Sequence, residues 1–132
     1  MLVSPADIVA RAKATIKECA VTDVDQCLSS DTLLIDIREL AEFKKGHIPG
    51  AVLAPRGLLE FDIHSIVDRT STNPEISPED RDIILYCGTG GRSALAAETL
   101  NTMGYRNVKS MAGGIVAWAA ARLPVETPFE KS

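Results

Sequence analysis

Between residues 83 and 103 the chain passes from an unbroken apolar run, Ile83-Ile84-Leu85-Tyr86, into Cys87, through a loop holding Gly88, Gly90 and Gly91, and out into a helical pattern. That order constrains the fold more than any other feature. A four-residue run without polar alternation suits a strand covered on both faces, the habit of parallel sheets. A helix that follows directly is the return arm of a strand-helix unit. It is expected over Gly91–Met103, with Ala96, Leu100 and Met103 on one side and Gly104 as its C-terminal cap.

The same alternation runs through the rest of the chain. Ser4-Pro5 marks a helix start, and Ile8, Ala12 and Ile16 share a face, so a first helix is expected over residues 5–18. Residues 32–37, TLLIDI, read as a buried strand. A short helix follows over 39–45 and stops at Gly46, and Ala51-Val52-Leu53 after the Pro49-Gly50 turn makes another strand. Asn107–Met111 offers one more strand. Gly113-Gly114 then opens a last helix carrying Trp118, which its neighbours Ile115 and Ala119 place in the core. The polar segment 62–82, with Pro74 and Pro78, is expected to be an irregular surface excursion. Strands alternating with helices predict an α/β fold, a mostly parallel central sheet flanked by helices in three layers. With 132 residues, 45% of them hydrophobic, and no repeat or low-complexity linker, a single domain over 1–132 is expected.

Composition narrows the functional classes. A net charge of −4 and a mean hydropathy of +0.07 allow a packed core and speak against disorder. The pI near 5.1, the lack of a Lys/Arg cluster and the small aromatic complement leave no footprint for nucleic acid. The apolar run Ile115–Ala121 is far short of the roughly 18 residues that cross a bilayer, so no membrane span is expected. Asp7 and Arg11 interrupt any leader-like stretch, and the odd set Cys19, Cys27 and Cys87 makes no disulfide framework; a reducing, cytoplasmic setting is expected. His47 and His64 without a Cys-x-x-Cys pair lack zinc-ligand spacing, so no metal is expected. Cys19 and Cys27 read as small buried hydrophobes.

Cys87 is the residue with chemistry. Glycines tolerate positive φ and let a loop curl its N–H groups inward. Those groups, the positive end of the following helix and Arg92 would stabilise an anion on the Cys87 sulfur, giving a thiolate at or below neutral pH. Ser93 is read as a capping hydroxyl for the loop. Arg92 either orients an anionic donor or braces the loop by pairing with Glu42 or Asp36. Arg56, after a strand and so near the same edge, is a candidate substrate contact or a solvated surface arginine. Asp36 and Arg38 flank the end of a buried strand, where an ion pair or turn bond is the economical arrangement. The turn around His47 favours a hydrogen-bonded structural histidine over a general base.

The segment CGTGGRS, residues 87–93, resembles the active-site loop of rhodanese-type sulfurtransferases, Cys-x-x-Gly-x-Arg-Ser/Thr. IDIRELAEFKKGHIPGA, residues 35–51, is similar to the family's first signature, with Asp36, Arg38, Glu42, Gly46, His47, Ile48, Pro49, Gly50 and Ala51 in matching places. GYRNVKSMAGGIVAW, residues 104–118, resembles its C-terminal signature through Gly113, Gly114 and Trp118. The resemblance covers about residues 20–125; the 62–82 insertion and the N-terminal helix depart from it. It implies a rhodanese-like domain of sulfur metabolism that needs no cofactor. Cys87 would take a sulfane sulfur from thiosulfate or a persulfide, a protein persulfide included, and pass it to cyanide or a thiol. Gly88, Thr89, Gly90, Gly91, Arg92 and Ser93 would form the persulfide loop, and Asp36, Arg38, Glu42 and His47 would support it, in a monomer or homodimer. Two other readings stand beside this one. Phosphatases and arsenate reductases of related fold place five residues between Cys and Arg, against four here. Non-catalytic members of the family usually lack the cysteine that this chain keeps.

Overall fold

The computed structural model describes residues 1–128; the end of the expected domain, 129–132, lies outside the described residues. The apolar runs Leu33–Asp36 (β2) and Ile83–Tyr86 (β4) are buried at every position. They pair in parallel from Leu33 beside Ile83 to Asp36 beside Tyr86. Lys17–Cys19 (β1), Val52–Leu53 (β3) and Val108–Met111 (β5) complete a parallel sheet in the order β1-β5-β4-β2-β3. The helices are Pro5–Lys13 (α1), Val21–Cys27 (α2), Leu40–Lys45 (α3), Leu59–Thr70 (α4), Gly91–Thr102 (α5) and Gly114–Ala120 (α6).

Strand periodicity divides the core in two. Leu33, Ile35, Ile83, Leu85 and Val108 face α4 and α5, where Ile63, Ile66, Val67, Ala96, Ala97 and Leu100 cover them. Leu34, Ile84, Tyr86 and Met111 face the other way, under Val24 of α2 and Trp118 of α6. This is the three-layer α/β arrangement that the alternation predicts. No helix among the described residues is long and apolar enough to cross a membrane.

Three expectations are corrected. The first helix ends at Lys13, not at residue 18: the Thr15 hydroxyl donates to the Ala12 carbonyl at 2.9 Å, and Lys17–Cys19 leaves the helical path to pair with the open edge of β5. Long-range pairing overrides the local period there, although Ile16 still packs against the core. Segment 62–82 is not irregular throughout. Its first half belongs to α4, whose Leu59, Ile63, Ile66 and Val67 form a buried stripe beneath a polar outer face, and only residues beyond Thr70 are irregular, apart from the tight turn Pro78–Asp80. Buried Arg81 fastens this region by donating to the carbonyls of Asp31, Val67 and Thr70 at 2.7, 3.1 and 3.2 Å. Finally, Cys27 is exposed and Cys19 only half-buried. Both line a cavity of about 250 Å³ whose walls do not include Cys87; α2 is short and turns Val24, not Cys27, into the core.

Candidate active site

In a parallel sheet every strand delivers its carboxyl end to the same edge, where ligand sites of open α/β folds lie. Here that edge receives Cys87 from β4, Asp36 and Arg38 from β2, Arg56 from β3, and the Gly113-Gly114 turn from β5.

The loop after β4 is folded around the Cys87 sulfur. Gly90, at φ +107°, precedes α5 and donates its N–H to Sγ at 3.1 Å; the Ser93 N–H donates at 3.4 Å. Sγ and the Ser93 hydroxyl are 3.5 Å apart, with the S–H donating in the thiol and the hydroxyl able to donate to a thiolate. The peptide carbonyls on the other side are held by α6: Ile115 N–H donates to the Cys87 carbonyl at 2.9 Å and Val116 N–H to that of Gly88 at 3.1 Å. These bonds fix the peptide planes with carbonyls outward. The approach requires glycine at 114, at φ +59°, because a Cβ there would collide with the Cys87 and Gly88 carbonyl oxygens.

Cys87 is 1% exposed. Burial is the largest influence on its thiol and pushes its pKa up. The hydrogen bonds from the Ser93 hydroxyl and the N–H groups of Ser93, Gly90 and Thr89 together outweigh burial and hold it below the ordinary value. Thr89 is exposed at the loop tip, and Gly88 and Gly91 are half-buried. The Ser93 hydroxyl also donates to the Gly90 carbonyl at 3.2 Å and meets the Ser110 hydroxyl at 2.8 Å. Ser110, fully buried on β5, escapes a reading of the sequence alone. Its signal was a serine on the core-facing parity of an apolar strand, where a buried hydroxyl requires a partner.

Arg92 grips Glu42, with Nη1 and Nη2 at 2.9 and 3.1 Å from the two carboxylate oxygens. The Glu42 carboxylate is held down to a pKa of about 2, first by that guanidinium and, against some burial, by the Glu39 N–H that also donates to it at 3.1 Å. Arg56 is half-buried between Glu60 (2.7 Å) and Thr99 (3.1 Å), and its bonds go to these two side chains and not to the loop. Asp36 and Arg38 form a buried pair at 2.7 Å, with Arg38 also donating to the Gly46 carbonyl. The His47 ring stacks on Phe43; its Nδ1 lies 3.1 Å from the Phe43 carbonyl and its Nε2 3.4 Å from Glu126, so neither nitrogen addresses Cys87. Among the described residues no group of His, Cys, Asp and Glu is arranged to hold a metal ion.

A loop of inward N–H groups around a cysteine at the carboxyl edge of a parallel sheet defines a thiolate site built by the backbone. The family description "Rhodanese-like domain" matches residues 20–121. A sulfurtransferase of Allochromatium vinosum is 38% identical over 100 residues, 76% of this chain and 83% of that protein. The thiosulfate sulfurtransferase GlpE of Haemophilus influenzae is 30% identical over 116 residues, 87% of this chain and 99% of that protein. Among solved structures, a Rhodopseudomonas palustris protein of unknown function, described as a possible tyrosine phosphatase, superposes with a TM-score of 0.78 at 33% identity, covering 96% of each chain. The chain belongs to the rhodanese-like domain family.

Proposed function

We propose that the protein is a rhodanese-type sulfurtransferase in which Cys87 carries a sulfane sulfur as a persulfide. The observation that carries this reading is the set of N–H donors from Gly90 and Ser93 pointing at Sγ. They favour the thiolate, and a ring of this size can hold the charge of a terminal sulfur one bond further out. In the first half-reaction the Cys87 thiolate attacks the outer sulfur of thiosulfate or of a persulfide. The new Sγ–S bond forms as the donor's S–S bond breaks, and sulfite or a thiolate leaves with the electron pair. In the second, cyanide or an acceptor thiolate attacks the outer sulfur, and the Cys87 thiolate leaves. Electrons balance within each displacement, so no metal or organic cofactor is needed. The names of the Allochromatium and Haemophilus relatives support the assignment. Three free cysteines suit a reducing, cytoplasmic setting, and a protein-borne persulfide could exchange sulfur with the site as a small molecule does.

The likeness to a Rhodopseudomonas protein described as a possible tyrosine phosphatase raises the alternative of oxyanion chemistry. Four residues between Cys87 and Arg92, and a guanidinium occupied by Glu42, leave poor support for a tetrahedral phosphate or arsenate.

Intact mass spectrometry after exposure to thiosulfate or glutathione persulfide, followed by cyanide and a thiocyanate assay, tests the proposal. The native protein is expected to gain one sulfur that cyanide removes, and Cys87→Ser is expected to gain none while keeping its circular dichroism. Thiocyanate formation at the native rate by Cys87→Ser, or hydrolysis of aryl phosphate without any sulfur loading, overturns it.

A further inference from the structure

We propose that the sulfur donor of this site is an alkyl persulfide, R–S–SH with a methylene next to the inner sulfur, in preference to thiosulfate, and that the Glu42–Arg92 pair sets the preference. The inference rests on the reading of Cys87 as a persulfide carrier and names the donor class of that same site.

The two donors differ in what stands one bond behind the reacting sulfur. In thiosulfate it is a sulfonate, so the charge of the donor arrives at the mouth of the loop together with the sulfur. In an alkyl persulfide it is a sulfur bearing a slim, uncharged methylene, and any carboxylates lie several bonds further out. Because Cys87 is 1% exposed, the group behind the reacting sulfur must press against the loop itself. A sulfonate brought toward a thiolate there needs a cation free to meet it.

The arginines at this edge are already engaged. Arg92 leans over the loop, with Nη2 3.3 Å from where a Cβ on Gly88 would lie, yet each terminal nitrogen gives an N–H to Glu42, whose carboxylate offsets the guanidinium charge. Glu42 is itself fixed, as the N3 residue of α3 in a reciprocal cap with Glu39. The bidentate fork is therefore held from both ends and presents no net charge. Arg38 is buried against Asp36 and the Gly46 carbonyl, and Arg56 is held by Glu60 and Thr99. The loop's own side chains at Gly88, Thr89 and Gly91 carry no charge.

The step balances as written. The Cys87 thiolate attacks the terminal sulfur of R–S–SH, the Sγ–S bond forms, the S–S bond of the donor breaks, and R–S⁻ departs with its electron pair while the proton stays on the transferred sulfur or passes to solvent.

The test measures the rate of sulfur loading onto Cys87 in the full chain by rapid quench and intact mass. Donors are thiosulfate, glutathione persulfide and persulfidated serum albumin at one pH and ionic strength; the last two separate a small-molecule from a protein-borne source. The native chain is expected to load from at least one persulfide about 100-fold faster than from thiosulfate. Glu42→Gln, which releases Arg92, is expected to raise the thiosulfate rate about tenfold and so narrow the ratio. The double variant Glu42→Gln/Arg92→Gln is expected to lose that gain, a pattern that simple loss of structure does not produce. Thiosulfate loading the native chain as fast as the faster of the two persulfides overturns the inference while leaving the sulfurtransferase reading in place, and does so even if the variants fail to fold. A folded Glu42→Gln variant with an unchanged ratio also overturns it. No loading from any donor overturns both.

Discussion

Ser93 has one hydroxyl proton and two acceptors within reach, the Gly90 carbonyl and the Cys87 sulfur. When that proton is directed to either, the 2.8 Å bond between the two serines must be donated by Ser110, which polarises Ser93 toward the sulfur. Ser110 is thus a positioning residue that never touches the thiol. The Cys87 pKa lies below the ordinary value, so its alkylation rate rises with pH to a midpoint below that of free cysteine, about 8.5. Ser110→Ala is expected to move that midpoint up by about one pH unit with little change in Tm, since a hydrogen bond feeding a charged group is worth about 1.5 kcal/mol. An unmoved midpoint would remove Ser110 from the site. The cysteine and its glycines were legible in the sequence because their spacing is local. Ser110 was not, because it depends on strand parity; Glu42 was one of two carboxylates open to Arg92, and the topology brings it across 50 positions and leaves Asp36 to Arg38.

The elements around the loop matter as much as the loop. The first turn of α6 takes up the loop carbonyls, and the contact tolerates no side chain at 114. Gly114→Ala is expected to cost about 1–3 kcal/mol through positive-φ strain and the collision. By tilting the Gly88 peptide it should lower sulfur transfer more than tenfold; thiocyanate assay and thermal melting measure the two effects separately. The glycine pair could be read as a helix start, whereas its role as a clamp on a loop some 25 residues earlier required the sheet order. Segment 62–82 misled for the opposite reason. Its outer face is so polar that the stripe of Leu59, Ile63, Ile66 and Val67 shows only when sorted by helical angle.

At the scale of the molecule, the alternation of apolar runs and helices disclosed the parallel α/β class, while β1 and the region around Arg81 stayed hidden because their bonds are with distant carbonyls and a distant strand edge. The Arg81 guanidinium joins the ends of α4 and of the segment before β2, and three carbonyls depend on it. Arg81→Leu is expected to lower unfolding free energy by about 2–4 kcal/mol, read from urea melts, because it strands buried acceptors. The midpoint of Cys87 alkylation should not move in that variant, since its donors lie on the far side of β4. Every pairing in this sheet is parallel, so none can close as a local hairpin, and β1 waits for β5 from the other end of the chain. The donors that acidify Cys87 lie within residues 89–93, and the peptide planes of their loop are fixed from the other side when α6 takes up the carbonyls of Cys87 and Gly88. A nascent or partly folded chain therefore lacks this bracing of the loop, and the protein's full reactivity is acquired at the close of folding, when the core around it is already shut.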